Sequence, residues 1–102
     1  MNPDLNFGLS ANDLTRIIEL LRSVDGVLGA KIFGSRAKGN FREGSDIDIA
    51  LIAPNLNHDH YLRTCAKIDD LMLPYKVDLV ILHQIDIDSL LDHIQRVGID
   101  IL

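Results

Sequence analysis

Residues 27–53 read Val27-Leu28-Gly29-Ala30-Lys31-Ile32-Phe33-Gly34-Ser35-Arg36-Ala37-Lys38-Gly39-Asn40-Phe41-Arg42-Glu43-Gly44-Ser45-Asp46-Ile47-Asp48-Ile49-Ala50-Leu51-Ile52-Ala53, and this stretch decides the architecture. Val27 to Phe33 is a short apolar run that reads as a strand. It passes into Gly34-Ser35 and then into a glycine-rich, basic, irregular segment from Arg36 to Gly44. From Asp46 to Ala53 a second strand opens with two acids and becomes wholly apolar, until Pro54 and Asn55 stop it. A Gly-Ser thus ends one strand and an Asp-x-Asp begins the next.

The flanks are regular. Ser10 is placed as a helix N-cap, with Asp13 favouring the positive helix end. Leu14, Ile17, Ile18 and Leu21 follow at i, i+3, i+4 and i+7, the spacing of an amphipathic helix that Asp25-Gly26 ends as a turn. Tyr61 to Met72 reads as a second long helix with Leu62, Cys65, Ile68 and Met72 inward, ended by Pro74. Val77 to Leu82 is a strand carrying one acid, Asp78, inside an apolar run. Asp88 or Ser89 is expected to cap a last helix through Leu90, Leu91, Ile94 and Val97, before Gly98. The order α–β–(loop or short α)–β–α–β–α indicates an α/β (α+β) domain. With no repeat or linker, residues 1–102 are expected to form a single domain.

Composition removes several classes. The chain carries ten Lys and Arg against fifteen acids, a net charge of −5, which argues against passive binding to a nucleic-acid backbone. The single Cys65 excludes an intrachain disulfide framework and a cysteine-based zinc site. No apolar run approaches the ~20 residues that span a bilayer. Met-Asn-Pro-Asp at the start lacks the basic-then-apolar pattern of a secretory signal, so a soluble, cytoplasmic protein is expected. Thirteen of the fifteen acids are Asp, a residue favoured at caps, turns and metal sites rather than within helices.

Three features converge on chemistry. Gly34 permits close backbone approach where a strand gives way to a helix start, free amides there suit an anion, and the Ser35 hydroxyl adds a donor. Arg36, Lys38 and Arg42 put three of the ten basic residues into seven positions. Asp46 and Asp48, two apart on a strand, project from one face and repel unless a hard cation such as Mg²⁺ or Mn²⁺ lies between them. Asp78, in a strand expected to be buried on both faces, is costly unless it joins the same cluster. Three carboxylates, a cation pair and a phosphate-cradling Gly-Ser describe two-metal phosphoryl or nucleotidyl transfer.

Gly34-Ser35-Arg36-Ala37-Lys38-Gly39 followed by Ser45-Asp46-Ile47-Asp48 resembles the signature of the DNA-polymerase-beta-like nucleotidyltransferase superfamily. With its short length and the Val77-Asp78-Leu79 context, the chain is similar to the minimal nucleotidyltransferases (MNT) that pair with HEPN proteins in toxin–antitoxin modules. The resemblance implies a three-stranded mixed sheet with helices packed on it. It implies that Gly34 and Ser35 hold the nucleotide triphosphate, and Arg36, by its charge beside them, is counted as a further nucleotide-binding candidate. Asp46 and Asp48 would bind two Mg²⁺, with Asp78 completing one metal site and helping to activate the attacking hydroxyl. It further implies transfer of AMP from ATP to a tyrosine of a HEPN ribonuclease toxin, silencing it, within a hetero-oligomer.

Plainer readings stand beside these. Gly34-Ser35 taken alone is a helix cap or turn, Asp46 and Asp48 a solvated strand end, and Asp78 a carboxylate paired with Lys or Arg on an edge strand. Arg36 and Arg42 can serve as ion-pair partners of nearby acids. Asp86-Ile87-Asp88 repeats the spelling without a preceding Gly-Ser and is read as capping. His58-Asp59-His60 is read as a polar loop, and the isolated His83 and His93 carry no assignment. Two other functions compete: a binding antitoxin that neutralises its partner by occlusion, and a small-molecule nucleotidyltransferase, though the latter generally has an added helical substrate domain.

Overall fold

The computed structural model describes residues 6–102; Met-Asn-Pro-Asp lies outside them. The elements are α1 (Ala11–Arg22), β1 (Gly29–Phe33), α2 (Gly34–Lys38), β2 (Ile47–Ile52), α3 (His58–Asp69), β3 (Val77–Ile81), a 3₁₀ turn (Leu82–Gln84), α4 (Asp88–Val97) and β4 (Ile99–Asp100). The sheet order is β3-β2-β1-β4. β1 runs antiparallel to β2 and β4, whereas β2 and β3 are parallel. The mixed α+β sheet flanked by helices matches expectation, but it has four strands, not three. β4 is two residues long and pairs Ile99 with Ile32 and Asp100 with Lys31, too short to show a period in sequence. The Asp100 carboxylate meets the Lys31 ammonium at 2.9 Å.

Each face of the sheet has its own core. Ile32, Ile47, Ile49, Leu51, Leu79 and Ile81 pack with Ile17 and Leu21 of α1 and Ile68 of α3. Phe33 and Ala50 pack on the opposite face against Ile94 of α4, joined by Val80, Leu90 and Val97. Side chains two apart share a face, so Asp48 lies with Ala50 and Asp78 with Val80, on the α4 side. β3 is an edge strand rather than one buried on both faces.

Local chemistry sets the helix ends. The Ser10 hydroxyl accepts the Asp13 N–H at 3.0 Å, as expected. Asn57 caps α3 by accepting the His60 N–H at 2.8 Å, so this helix begins at His58, ahead of the expected Tyr61. His58-Asp59-His60 is its first turn, not a loop. α3 ends at Asp69, and Met72 has a left-handed φ of 54°. Cys65 and Ile68 face inward as expected, but Tyr61 and Thr64 share that face in place of Leu62 and Met72, which are exposed. Thr64 enters the core because its hydroxyl donates to the His60 carbonyl at 2.8 Å. α4 begins at Asp88 after Ile87, without a side-chain cap; Asp88 supplies negative charge in the first turn instead.

Candidate functional site

Antiparallel pairing brings the end of β1 beside the start of β2, so Gly34-Ser35 and Asp48 meet although 11 residues separate Ser35 from Ile47. Phe33 is the register partner of Asp48. Gly34 follows with φ +73°, in the left-handed region that favours glycine. A Cβ at Gly34 would collide with Asp48 Oδ2, so the glycine leaves room for the carboxylate as well as for the turn. Parallel pairing sets Asp78 directly beside Asp48. Asp46 sits just before β2, whose first amide, from Ile47, donates to the Lys76 carbonyl at 2.8 Å.

The electrostatics reflect this crowding. Burial first, then the charges of Asp78 and Asp46, raise the Asp48 carboxyl above its ordinary value of 3.8, and His93 works in the opposite direction. Lys76 Nζ lies 3.6 Å from Asp78 Oδ1, with both side chains well exposed, so solvent weakens the pair. Asp78 is therefore half-exposed at an edge rather than buried and unpaired, and register, not desolvation, is what joins it to Asp48. Among the described residues neither Asp46 nor Asp48 has an ion-pair partner.

These groups fit a hard divalent cation in one particular way. Among the described residues no three ligating side chains enclose a cation by themselves. Mg²⁺ is usually held by one or two carboxylates plus substrate phosphates and waters, so an open carboxylate set suits it better than a closed cage. The donor set is all carboxylate oxygen, and among the described residues only Asp78 of the three has a cationic partner, the exposed Lys76. The cavity of about 320 Å³ lined by Ile52, Ala53, Leu82, His83, Ile85 and Leu91 lies at the far end of β2 and contributes none of these groups.

Arg36 is placed differently from a phosphate ligand. It is 2% exposed, its Nε and Nη2 donate to the Ser45 carbonyl at 3.1 and 2.8 Å, and Nη1 donates to the Phe7 carbonyl at 2.8 Å. The guanidinium also lies 5.0 Å from the Phe41 ring centroid and 4.7 Å from that of Tyr75. It braces the α2–β2 connection at Ser45, the residue before Asp46. Among the described residues neither Arg36 nor Arg42 is in an ion pair, the plainer reading; the Arg42 N–H donates to Ser45 Oγ at 2.8 Å. Lys38 and Arg42 are exposed.

His93 is the residue that sequence reasoning missed. Its Nε2 accepts the Gly34 N–H at 3.1 Å, and its ring meets the Phe33 ring edge-on at 6.2 Å between centroids. The available signal is positional: His93 falls on the Leu90–Ile94–Val97 stripe of α4, where a polar group must find a partner. Asp86 and Asp88 remain exposed at the start of α4.

A mixed sheet with Gly-Ser closing one strand, Asp-x-Asp opening its antiparallel neighbour and a third Asp in register is the arrangement of a nucleotidyl-transfer domain. The Polymerase beta, Nucleotidyltransferase family matches residues 15–102, and the chain belongs to it. Among solved structures it is similar to a toxin–antitoxin complex with AMP-PNP, at 29% identity and a TM-score of 0.70, covering 90% of this chain and 72% of the other. An MntA–HepT toxin–antitoxin complex matches at 25% identity and TM-score 0.64, covering 87% and 68%. The fold also matches a Shewanella oneidensis complex of tri-AMPylated HEPN toxin with MNT antitoxin, at 24% identity and TM-score 0.67, covering 90% and 71%. The likeness thus falls on the minimal antitoxin group within the superfamily. No curated protein matches the chain. No helix among the described residues is long and apolar enough to cross a membrane.

Proposed function

We propose that this chain, as one minimal domain in the cytoplasm, is the antitoxin of a HEPN ribonuclease and silences it by transferring AMP from ATP to a tyrosine. The observation that carries the reading is the in-register Asp48–Asp78 pair with Gly34 set against Asp48. The complexes of similar fold, one with AMP-PNP and one with an AMPylated HEPN toxin, support the donor and the partner.

Asp46, Asp48 and Asp78 would hold two Mg²⁺, or Mn²⁺ in their place. Bound there, the ions supply neutralisation of the triphosphate and a lower pKa for the incoming hydroxyl. The missing Cβ of Gly34 leaves room for the Asp48 carboxylate, and the Ser35 hydroxyl would donate to a phosphate oxygen. The tyrosine oxygen forms its bond to the α-phosphorus as the bond to pyrophosphate breaks, and its proton passes toward Asp78. Arg36 acts at one remove, holding Ser45 and so the approach to Asp46. Most of the rate enhancement then comes from positioning and charge stabilisation, as in other phosphoryl transfers.

Co-expression with the HEPN partner and intact-mass measurement tests this. The partner should gain one or more AMP units with the wild type and none with Asp46→Ala or Asp48→Ala. An unmodified partner at saturating ATP and Mg²⁺ sinks the reading. Protection of cells by an Asp48→Ala variant that transfers nothing would support neutralisation by occlusion instead.

A further inference from the structure

We propose that His93 is a positioning residue for nucleotidyl transfer, keeping the Gly34 amide engaged so that Gly34 stays seated against Asp48 and the triphosphate is left to Ser35. The proposal rests on the nucleotidyltransferase reading of this site and deepens it. Its basis is a contact between elements far apart in sequence: Gly34 at the β1–α2 junction and His93 on α4 are 59 residues apart.

Gly34 has no side chain to restrain its peptide, and its φ of +73° lies where glycine has many alternatives. His93 Nε2 is the acceptor that fixes the direction of this N–H, at 3.1 Å in a part-buried setting. The imidazole is itself held. Its ring abuts Phe33, the next residue Ile94 is 1% exposed, and Leu90 and Val97 pack into the same cluster as Phe33 and Ala50. α4 therefore transmits its packing to the Gly34 peptide, against which the Asp48 carboxylate lies. A consequence for recognition follows from hydrogen-bond capacity: a single N–H already given to imidazole is not available to a phosphate oxygen.

Three variants separate the parts of this role. His93→Ala removes ring and acceptor, His93→Phe keeps a ring against Phe33 without the acceptor, and His93→Gln restores an acceptor. The Gly34 amide is followed by ¹⁵N–¹H NMR, with and without Mg²⁺ and a non-hydrolysable ATP analogue, and AMP transfer to the partner is measured with nucleotide varied. Loss of one positioning hydrogen bond should lower kcat up to about tenfold in His93→Ala and His93→Phe, while nucleotide affinity changes less. The Gly34 amide should shift in both, His93→Gln should recover most of kcat, and the wild-type Gly34 amide should stay hydrogen-bonded when the analogue binds.

Equal kcat in all variants overturns the proposal, as does a Gly34 amide that does not respond to loss of His93. Tighter analogue binding in His93→Ala, with release of the Gly34 amide in the wild type, would make the imidazole a displaceable occupant of a phosphate position instead. Equal losses in all three variants, with no recovery by Gln, would reduce His93 to packing. A wild type that transfers no AMP overturns the functional reading, and the Gly34 amide still reports separately whether His93 holds the peptide.

Discussion

Replacing Gly34 by Ala puts two penalties on one residue, and Gly39 supplies the control that separates them. Both glycines have left-handed backbone, with φ +73° and +84°. A Cβ at Gly39 meets nothing within 4 Å, whereas one at Gly34 runs into the Asp48 carboxylate. The backbone penalty for Ala is about 1–2 kcal/mol, reduced by the smaller entropy of the unfolded Ala chain by about 0.4–1 kcal/mol. Gly39→Ala should therefore lose roughly 1 kcal/mol, a fall in Tm of about 4–8 °C for a domain of this size. Gly34→Ala adds an overpacking term of about 1–3 kcal/mol, so its loss should be two to four times larger. Function should divide more sharply. Displacing a reacting group by ~1 Å costs on the order of 10²-fold in rate, so Gly34→Ala should lose about that much AMP transfer and Gly39→Ala little. Thermal melts and transfer to the partner, measured on both variants, decide it. Equal Tm losses and equal activities would refute the placement of Asp48 against Gly34.

Three further perturbations test other parts of the structure. Because burial and then Asp78 and Asp46 raise the folded Asp48 pKa, the folded state keeps a proton that the unfolded chain has released. Metal-free stability should therefore fall as pH rises from about 3.8 through the raised folded value, and Asp48→Asn should remove that fall, gain stability above it and abolish transfer, as pH-resolved urea melts and the mass assay would show. Arg36→Ala leaves the Phe7 and Ser45 carbonyls without their buried donor and should cost about 3 kcal/mol in urea unfolding, with Arg36→Lys recovering only part. Tyr61→Phe deletes the hydroxyl that donates to the Leu79 carbonyl on β3 at 2.6 Å, and should cost about 1 kcal/mol in stability while leaving transfer unchanged.

Local signals were legible where one residue does one local job. The Ser10 cap, the stripe through Ile17 and Leu21, and the β1 and β2 runs needed only neighbours along the chain. On α3, Cys65 and Ile68 are legible as core, whereas Thr64 is not, because it is polar by name yet satisfies its hydroxyl within the helix and then behaves as core. Asn57 was overlooked as a cap for a similar reason, since Asn in a loop carries no mark until the next amides turn toward it. Arg36 was read from its charge and its motif neighbours, but its long side chain reaches Phe7, 29 residues upstream.

By itself, then, the sequence determined the order of helices and strands, the Gly-Ser and Asp-x-Asp at adjoining strand ends, and the carboxylate chemistry they bring. These are written in short-range spacing, where the period of a strand or the missing Cβ of a glycine speaks directly. The tertiary structure decided which faces meet. It put Asp78 beside Asp48 by parallel register at a sheet edge, buried Arg36 as a brace, added β4, and brought His93 from α4 onto the Gly34 amide. Such contacts join residues tens of positions apart through packing on both faces of the sheet, and no local period records them.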